Sequence, residues 1–280
     1  MLDETEISQT HVSDILQEQQ FYPRDTNDDR NFTAEFIGMV WMELERRARL
    51  LKNVGLYVVS GKRITRRCNW DECVGAAFLV LLTCGEYYLT LREIADYIWQ
   101  GELFEDFCCE ALRGNGWQAT RTGWASHAGA EKLTRTVEAV ANATDENFVN
   151  AAAVELYKHE NESGCDLVSH WAYAEKWTGR PLVLVQCASG ADFEQKLGTP
   201  DIDRWRGFIT FSTIPIRGFC TPRAFEHREF RQHCGKVHGV LFDRFRLLEP
   251  FAGGATLSPD LSARLFDWVL PRIHALPLLR

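Results

Sequence analysis

The chain has 280 residues, 45% hydrophobic and 25% charged, enough to bury a sizeable core in one domain with a smaller appendage. That balance excludes a disordered, collagenous or coiled-coil protein. The formal charge of −8 is unevenly spread: eight acids among residues 1–30 (Asp3, Glu4, Glu6, Asp14, Glu18, Asp25, Asp28, Asp29) stand against Arg24 and Arg30 alone. The remainder carries a net of −2, which leaves room for a basic groove because nucleic-acid binding depends on local clustering. Nine cysteines show no framework spacing, the N-terminus is acidic without an apolar leader, and the longest apolar run is Val74 to Thr83. That run is about half the ~20 residues a membrane span needs. These features predict a soluble, cytoplasmic protein with reduced thiols and no membrane contact.

In chain order, residues 12–20 predict a short helix in a polar, acidic opening. Residues 31–51 predict a longer one, with Phe36, Val40, Met42, Leu44 and Leu51 at helical spacing. Residues 54–60 alternate like a strand, Gly61 turns the chain, and the basic run Lys62, Arg63, Arg66, Arg67 follows. Helices are predicted over 71–84 and 91–98, so that 1–100 forms a mostly helical extension suited to docking a partner. From Gly101 the pattern changes. An amphipathic helix over 103–113 is stopped by Gly114-Asn115-Gly116. Strands are predicted at 117–122, 166–171, 181–187, 207–211 and 238–242, and helices at 131–141, 147–159 and 260–273. The run Leu182-Val183-Leu184-Val185 predicts a central strand covered on both faces. The expected fold is α/β, a mixed central sheet flanked by helices, with its core at 101–250 and a closing helix in 251–280.

Candidate chemistry comes from three places: Glu105 inside the helix that ends at Gly114, Asp166 at a strand start, and Gln186 with position 188 at a strand end. Alternation puts Gln186, Leu184 and residue 188 on one face, and Asp166 on a face with Val168 and His170. A helix and two adjoining strands can thus converge oxygen ligands at one sheet end, a donor set suited to Mg²⁺.

In this order, Phe104-Glu105, Ala111-Leu112 and Gly116-Trp117, then Gly164-Cys165-Asp166, then Gln186-Cys187-Ala188-Ser189-Gly190 resemble elements of the PD-(D/E)XK nuclease superfamily. They match its opening helix, its metal aspartate and its second acid-x-lysine element, over residues 102–211. The resemblance implies a restriction-endonuclease-like core, Mg²⁺ (or Mn²⁺) as cofactor and phosphodiester hydrolysis of DNA. Asp166 would be the main metal ligand and Glu105 an acid near the metal or its water. Gln186 would use its amide oxygen in the second-acid position, and the Cys187 carbonyl would face the metal. The family's pattern puts lysine where this chain has Ala188, and losing one such electrostatic group costs on the order of 10²–10³ in rate. The chain as it stands is therefore expected to be inactive or crippled. Either Ala188 is an engineered replacement, or the lineage has lost the lysine, or Lys196, Lys176 or Lys158 substitutes. Trp205-Arg206, Pro215 to Gly218 and Leu241 to Leu248 resemble later strands and turns of defence-associated nucleases. That implies the effector of a bacterial antiphage complex, gated by a protein partner that senses infection, with oligomerisation left open. The alternatives are a non-catalytic scaffold or DNA-binding subunit of the same fold, or an enzyme acting on small nucleotides.

Plainer readings compete residue by residue. Glu105 with Glu102, Asp106 and Glu110 makes a solvated acidic face; Asp166 caps a turn; Gln186 makes a sheet-end hydrogen bond, since a buried unpaired amide costs ~1–3 kcal/mol. Lys62, Arg63, Arg66, Arg67, Arg204 and Arg206 are candidate phosphate contacts, or else members of an exposed hairpin and of ion pairs with Asp201, Asp203, Glu226 and Glu229. Cys220, His227, His233, Cys234 and His238 invite a zinc reading that lacks paired C-x-x-C elements. A Cys187 nucleophile with His170 as base is disfavoured because Cys187 alternates away from Gln186 into the core.

Overall fold

The computed structural model describes residues 6–18, 29–51, 53–85, 97–122, 132–146, 149–157, 164–175 and 177–276. Its elements run β1 (Glu6–Ser8), α1 (Gln9–Glu18), α2 (Asp29–Leu50), β2 (Tyr57–Ser60), β3 (Arg63–Arg66), α3 (Val74–Leu82), α4 (Tyr97–Gly114) and β4 (Trp117–Arg121). They continue with α5 (Lys132–Thr144), α6 (Ala151–Leu156), β5 (Leu167–Trp171), β6 (Leu182–Cys187), α7 (Ile202–Phe208), β7 (Ile216–Cys220), α8 (His227–Val237), β8 (Val240–Phe242), α9 (Arg244–Ala252) and α10 (Pro259–Ala275).

The N-terminal part is less helical than its sequence predicts. β1, β3 and β2 form a three-stranded antiparallel sheet in that order, its hairpin turned at Gly61 with φ +56°, a left-handed conformation that glycine adopts without steric cost. Trp41 Nε1 donates to the Gly61 carbonyl at 2.8 Å, tying α2 to the hairpin. Arg46 and Arg47 of α2 then donate to the Phe225 and Ala224 carbonyls at 2.8 and 3.4 Å, fastening the unit to the loop after β7. α3 does not belong to an extension at all. It is apolar on every side, so it must be buried on every side, and it packs on α10 and α4 with Phe78 edge-on to Trp268 at 4.9 Å. Of the helix expected over 91–98, residues 91–96 lie outside the described residues and the last two open α4. Cys68 and Cys73, with Cα atoms 6.7 Å apart across the turn into α3, form a disulfide, so the expectation of wholly reduced thiols fails there. The turn holds the pair at the upper end of the separation a bridge spans.

The core has the expected α/β form: a five-stranded mixed sheet in the order β4-β5-β6-β7-β8, antiparallel through β6 and parallel beyond it. α4 covers one face, its Leu103, Phe107, Cys108 and Leu112 meeting Ala119, Leu167, Val183 and Val185. On the other face, Leu133 and Val137 of α5 and Trp205 and Phe208 of α7 meet Val168, Leu182 and Leu184. A third cluster, around Phe193, Phe219, Val237 and Leu241, covers the β7–β8 side. No described helix is long and apolar enough to cross a membrane.

The strand expected at 207–211 is absent. Asp201 caps α7 by accepting from the Asp203 and Arg204 amides at 3.1 and 3.3 Å, and the helix runs to Phe208, leaving only an isolated bridge between Ile209 and Val149. The strand beside β6 is β7 instead, and Gly218 is what lets it approach. A Cβ there would lie 2.7 Å from Val183 Cγ1 and 2.9 Å from Val185 Cγ2. Gly218→Ala is therefore expected to cost about 1–3 kcal/mol through overpacking. Gly207→Ala, in α7 with no atom within 4 Å of the new Cβ, should gain about 0.4–1 kcal/mol. Urea denaturation of the two variants checks this; equal midpoints would refute the packing account.

Candidate functional site

Asp166 immediately precedes β5, and Gln186 is the penultimate residue of β6. Because these strands are antiparallel, the start of one lies beside the end of the other. Asp166 continues the ladder: its amide donates to the Val185 carbonyl and its carbonyl accepts from Thr122, both at 2.8 Å. Its side chain is 4% exposed and that of Gln186 8%, so each needs hydrogen-bond partners. They partner one another. Gln186 Nε2 donates to Asp166 Oδ2, and the Cys187 amide donates to the same oxygen at 2.7 Å. Gln186 Oε1 accepts from Thr199 Oγ1 at 3.2 Å. Gly164, at φ +69°, closes the wall, since a Cβ there would lie 2.7 Å from Thr199 Cβ and 2.9 Å from Gln186 Oε1. The Gly-x-Asp pattern thus has a steric cause: backbone turns left-handed and touches the paired side chains.

Glu105 arrives differently. It is 6% exposed, so the solvated acidic face suggested by its neighbours does not form around it. It sits on α4, over the sheet face opposite Gln186, and is bound by Arg121 Nε at 2.7 Å. Arg121 also holds Asp106 at 2.9 Å and reaches Glu102 at 3.5 Å, while Arg264 binds Asp106 at 2.9 Å. Since Arg121 pairs in register with Leu167, next to Asp166, Glu105 lies at the same end of the sheet. Of the expected convergence, Asp166, Gln186 and the Cys187 backbone meet on one side, and Glu105 is engaged from the other by an arginine that the sequence reading did not include.

Ala188 follows the alternation as expected. It is 3% exposed, packed with Phe193, Leu197 and Phe219, and its amide donates to the Cys220 carbonyl at 2.9 Å. Lys196 is exposed at the end of a short 3₁₀ helix (Phe193–Lys196); its carbonyl accepts from Thr199, the residue that holds Gln186. Lys158 and Lys176 lie outside the described residues.

Four of the basic candidates, Arg63, Arg67, Arg204 and Arg206, are engaged locally. Arg63 pairs with Glu6, and Arg67 donates to the Gly55 carbonyl at 2.5 Å and to Cys73 Sγ at 3.0 Å. Lys62 and Arg66 share that hairpin. Arg206 pairs with Asp203 at 3.3 Å, and Arg204 lies over the Tyr157 ring at 5.0 Å. The hairpin is fastened through α2 to the loop after β7, which leaves the sheet at the Asp166–Gln186 end.

The cysteine–histidine set read for zinc does not gather. His233 is buried against Phe225 and Phe193, with ring centroids 4.6 and 5.4 Å away, and His238 is the left-handed C-cap of α8. His170 is bound to Arg180 at 3.2 Å, far along β5 and on the face opposite the Cys187 thiol, so the nucleophile reading fails. What the sequence did not signal is a different set. The sulfurs of Cys108 on α4, Cys187 on β6 and Cys220 on β7 all lie within 4.8 Å of one another. Burial pushes the Cys108 and Cys187 thiols well above their ordinary range. Burial opposes ionisation of Cys220 too, but hydrogen bonds from the other two thiols outweigh it and lower that group.

No family model and no curated protein matches the chain. Among solved structures it aligns with protein VC1899 from Vibrio cholerae at 10% identity, over 94% of this chain and 80% of that one, with a TM-score of 0.17, too low to carry an argument.

The Arg121–Glu105 contact makes a quantitative prediction. Removing one partner of a fully buried pair typically costs about 3–5 kcal/mol; Arg121 is 20% exposed, so Arg121→Ala should cost about 1–3 kcal/mol. In a double-mutant cycle with Glu105→Ala, the two substitutions together should cost less than their sum by about 1–3 kcal/mol. Strict additivity in chemical denaturation would show that the pair is not a clamp.

Proposed function

We propose that this chain is a nuclease-fold protein of the PD-(D/E)XK kind, with a metal position formed by Asp166, Gln186 and the Cys187 carbonyl, and with Ala188 at its lysine position. One observation carries the reading: a buried carboxylate at the start of β5 pairs directly with the last polar side chain of a doubly covered central strand, at the sheet end to which α4 brings Glu105. The donors fit an oxygen-preferring cation such as Mg²⁺ or Mn²⁺, provided the Gln186 amide rotates so that Oε1 replaces Nε2 beside Asp166. A bound cation would supply Lewis-acid polarisation of a phosphate and an acidified water. The chain's own groups position these ligands. The Cys187 amide fixes one oxygen of Asp166, and the Thr199 hydroxyl, which donates to Gln186 Oε1 as the amide stands, would accept from Nε2 once it rotates; Glu105, across the sheet, is held by Arg121 and is not a ligand of this position. The proposed wild-type activity is endonucleolytic hydrolysis of DNA in the cytoplasm. The effector role in an antiphage complex, with an infection-sensing protein partner, rests on the resemblance of residues 205–248 alone.

A second reading is favoured by a specific feature. The Gln186 amide already satisfies Asp166 without a cation, and Ala188 fills an apolar pocket without supplying charge. Both suit the non-catalytic alternative, a nuclease-fold scaffold or DNA-binding subunit.

Ala188→Lys separates the two. Plasmid cleavage with Mg²⁺ should rise at least ~10²-fold over the unsubstituted chain, stop with EDTA, and return to background when Asp166→Asn is added. A folded Ala188→Lys protein that binds DNA and leaves plasmid intact would establish the scaffold.

A further inference from the structure

We propose that Cys108, Cys187 and Cys220 form a three-thiolate site for a thiophilic d¹⁰ divalent cation, Zn²⁺ in its natural form and Cd²⁺ as its probe. Three separate elements, α4, β6 and β7, each send one sulfur to the same point. Cys187 and Cys220 are register partners on adjacent parallel strands, so their side chains rise side by side from one face, and Cys108 descends on them from the covering helix. The spacing suits a small cation. Metal–sulfur bonds of about 2.3 Å place tetrahedral ligands about 3.8 Å apart, so sulfurs already within 4.8 Å need a closure of about 1 Å at most. The donor type is equally selective, because an all-sulfur set favours soft ions over the Mg²⁺ that oxygen ligands would take on the other face of the sheet.

Ordinary buried cysteines in this chain look different. Cys109 Sγ donates to the Ala119 carbonyl at 3.3 Å, and Cys165 Sγ to the Leu167 carbonyl at 3.4 Å. Those are small core residues satisfied by backbone. The three clustered thiols instead face one another. Cys108 and Cys220 are fully buried, whereas Cys187 is half-buried. Three thiolates around a divalent ion carry a net charge of −1, and Cys187 is the least buried residue of the three.

The site is independent of the nuclease reading, and its test does not read cleavage. Cd²⁺ is titrated into the metal-free full chain with the Cys68–Cys73 bridge left oxidised, and the sulfur-to-cadmium charge-transfer absorbance is followed. One saturable equivalent is expected, displaced by Zn²⁺. Cys108→Ala and Cys220→Ala should each weaken binding by more than about tenfold, while Cys109→Ala and Cys234→Ala leave it unchanged. Because buried variants can fail to fold, the unsubstituted chain is also mapped by alkylation and mass spectrometry with and without Cd²⁺, in urea just below the unfolding transition so that buried thiols react through transient opening. Cys108, Cys187 and Cys220 should be protected together, and Cys84 and Cys234 should not. The proposal is overturned if no band appears by one equivalent, if the band survives in folded variants at 108 and 220, or if protection falls on other cysteines.

Discussion

The structure depends on β6 being covered on both faces while side chains along it alternate. Leu182, Val183, Leu184 and Val185 are at most 3% exposed, and burying such side chains stabilises by about 1.5–3 kcal/mol each. That gain outweighs the ~1–3 kcal/mol that an unsatisfied amide would cost further along the same strand. The strand therefore goes to the middle of the sheet, and Gln186 must find partners where it lands. It finds Asp166 and Thr199. One residue later the alternation sends Cys187 to the opposite face, under α4. Two groupings of polar and thiol side chains, back to back across one strand end, follow from a single apolar run.

The two buried acids at this end are accommodated in different ways. Asp166 is held by an amide side chain and a backbone N–H, groups that orient a carboxylate without cancelling its charge. Glu105 is held by a guanidinium that also binds Asp106, which offsets its charge and pins α4 to β4. Glu105 thus fixes the height at which α4 crosses the sheet, and with it the position of Cys108, about one helical turn further on.

What could be read in the sequence was what one-dimensional pattern encodes. The apolar run of β6, the Gly-Asn-Gly stop after α4 and the alternation at Gln186 and Ala188 all depend on neighbours a few residues apart. β7 was obscured because its defining residues look wrong for a strand. Arg217 spends its charge on the Pro200 and Val237 carbonyls, and Gly218 is dictated by Val183 and Val185 of the strand beside it. The segment after Gly207 shows the converse error: Phe208, Ile209 and Phe211 are strand-forming residue types, but the Asp201 cap commits the chain to helix first. Arg121 and the three cysteines left no local signal, since their partners are set by register and by the crossing of α4, which only the folded chain specifies.

Cys187 belongs to both groupings. Its amide donates to Asp166 while its sulfur stands beside Cys108 and Cys220. An intramolecular hydrogen bond is worth about 0.5–1.5 kcal/mol, so a displacement of residue 187 that draws its sulfur toward the other two works against that bond, and one that preserves the bond restrains the sulfur. The two faces of the sheet end are therefore energetically linked through one residue. The linkage is reciprocal: whatever stabilises the present position of the Asp166 carboxylate also stabilises the present spacing of the thiols, with no need for a longer path through the core.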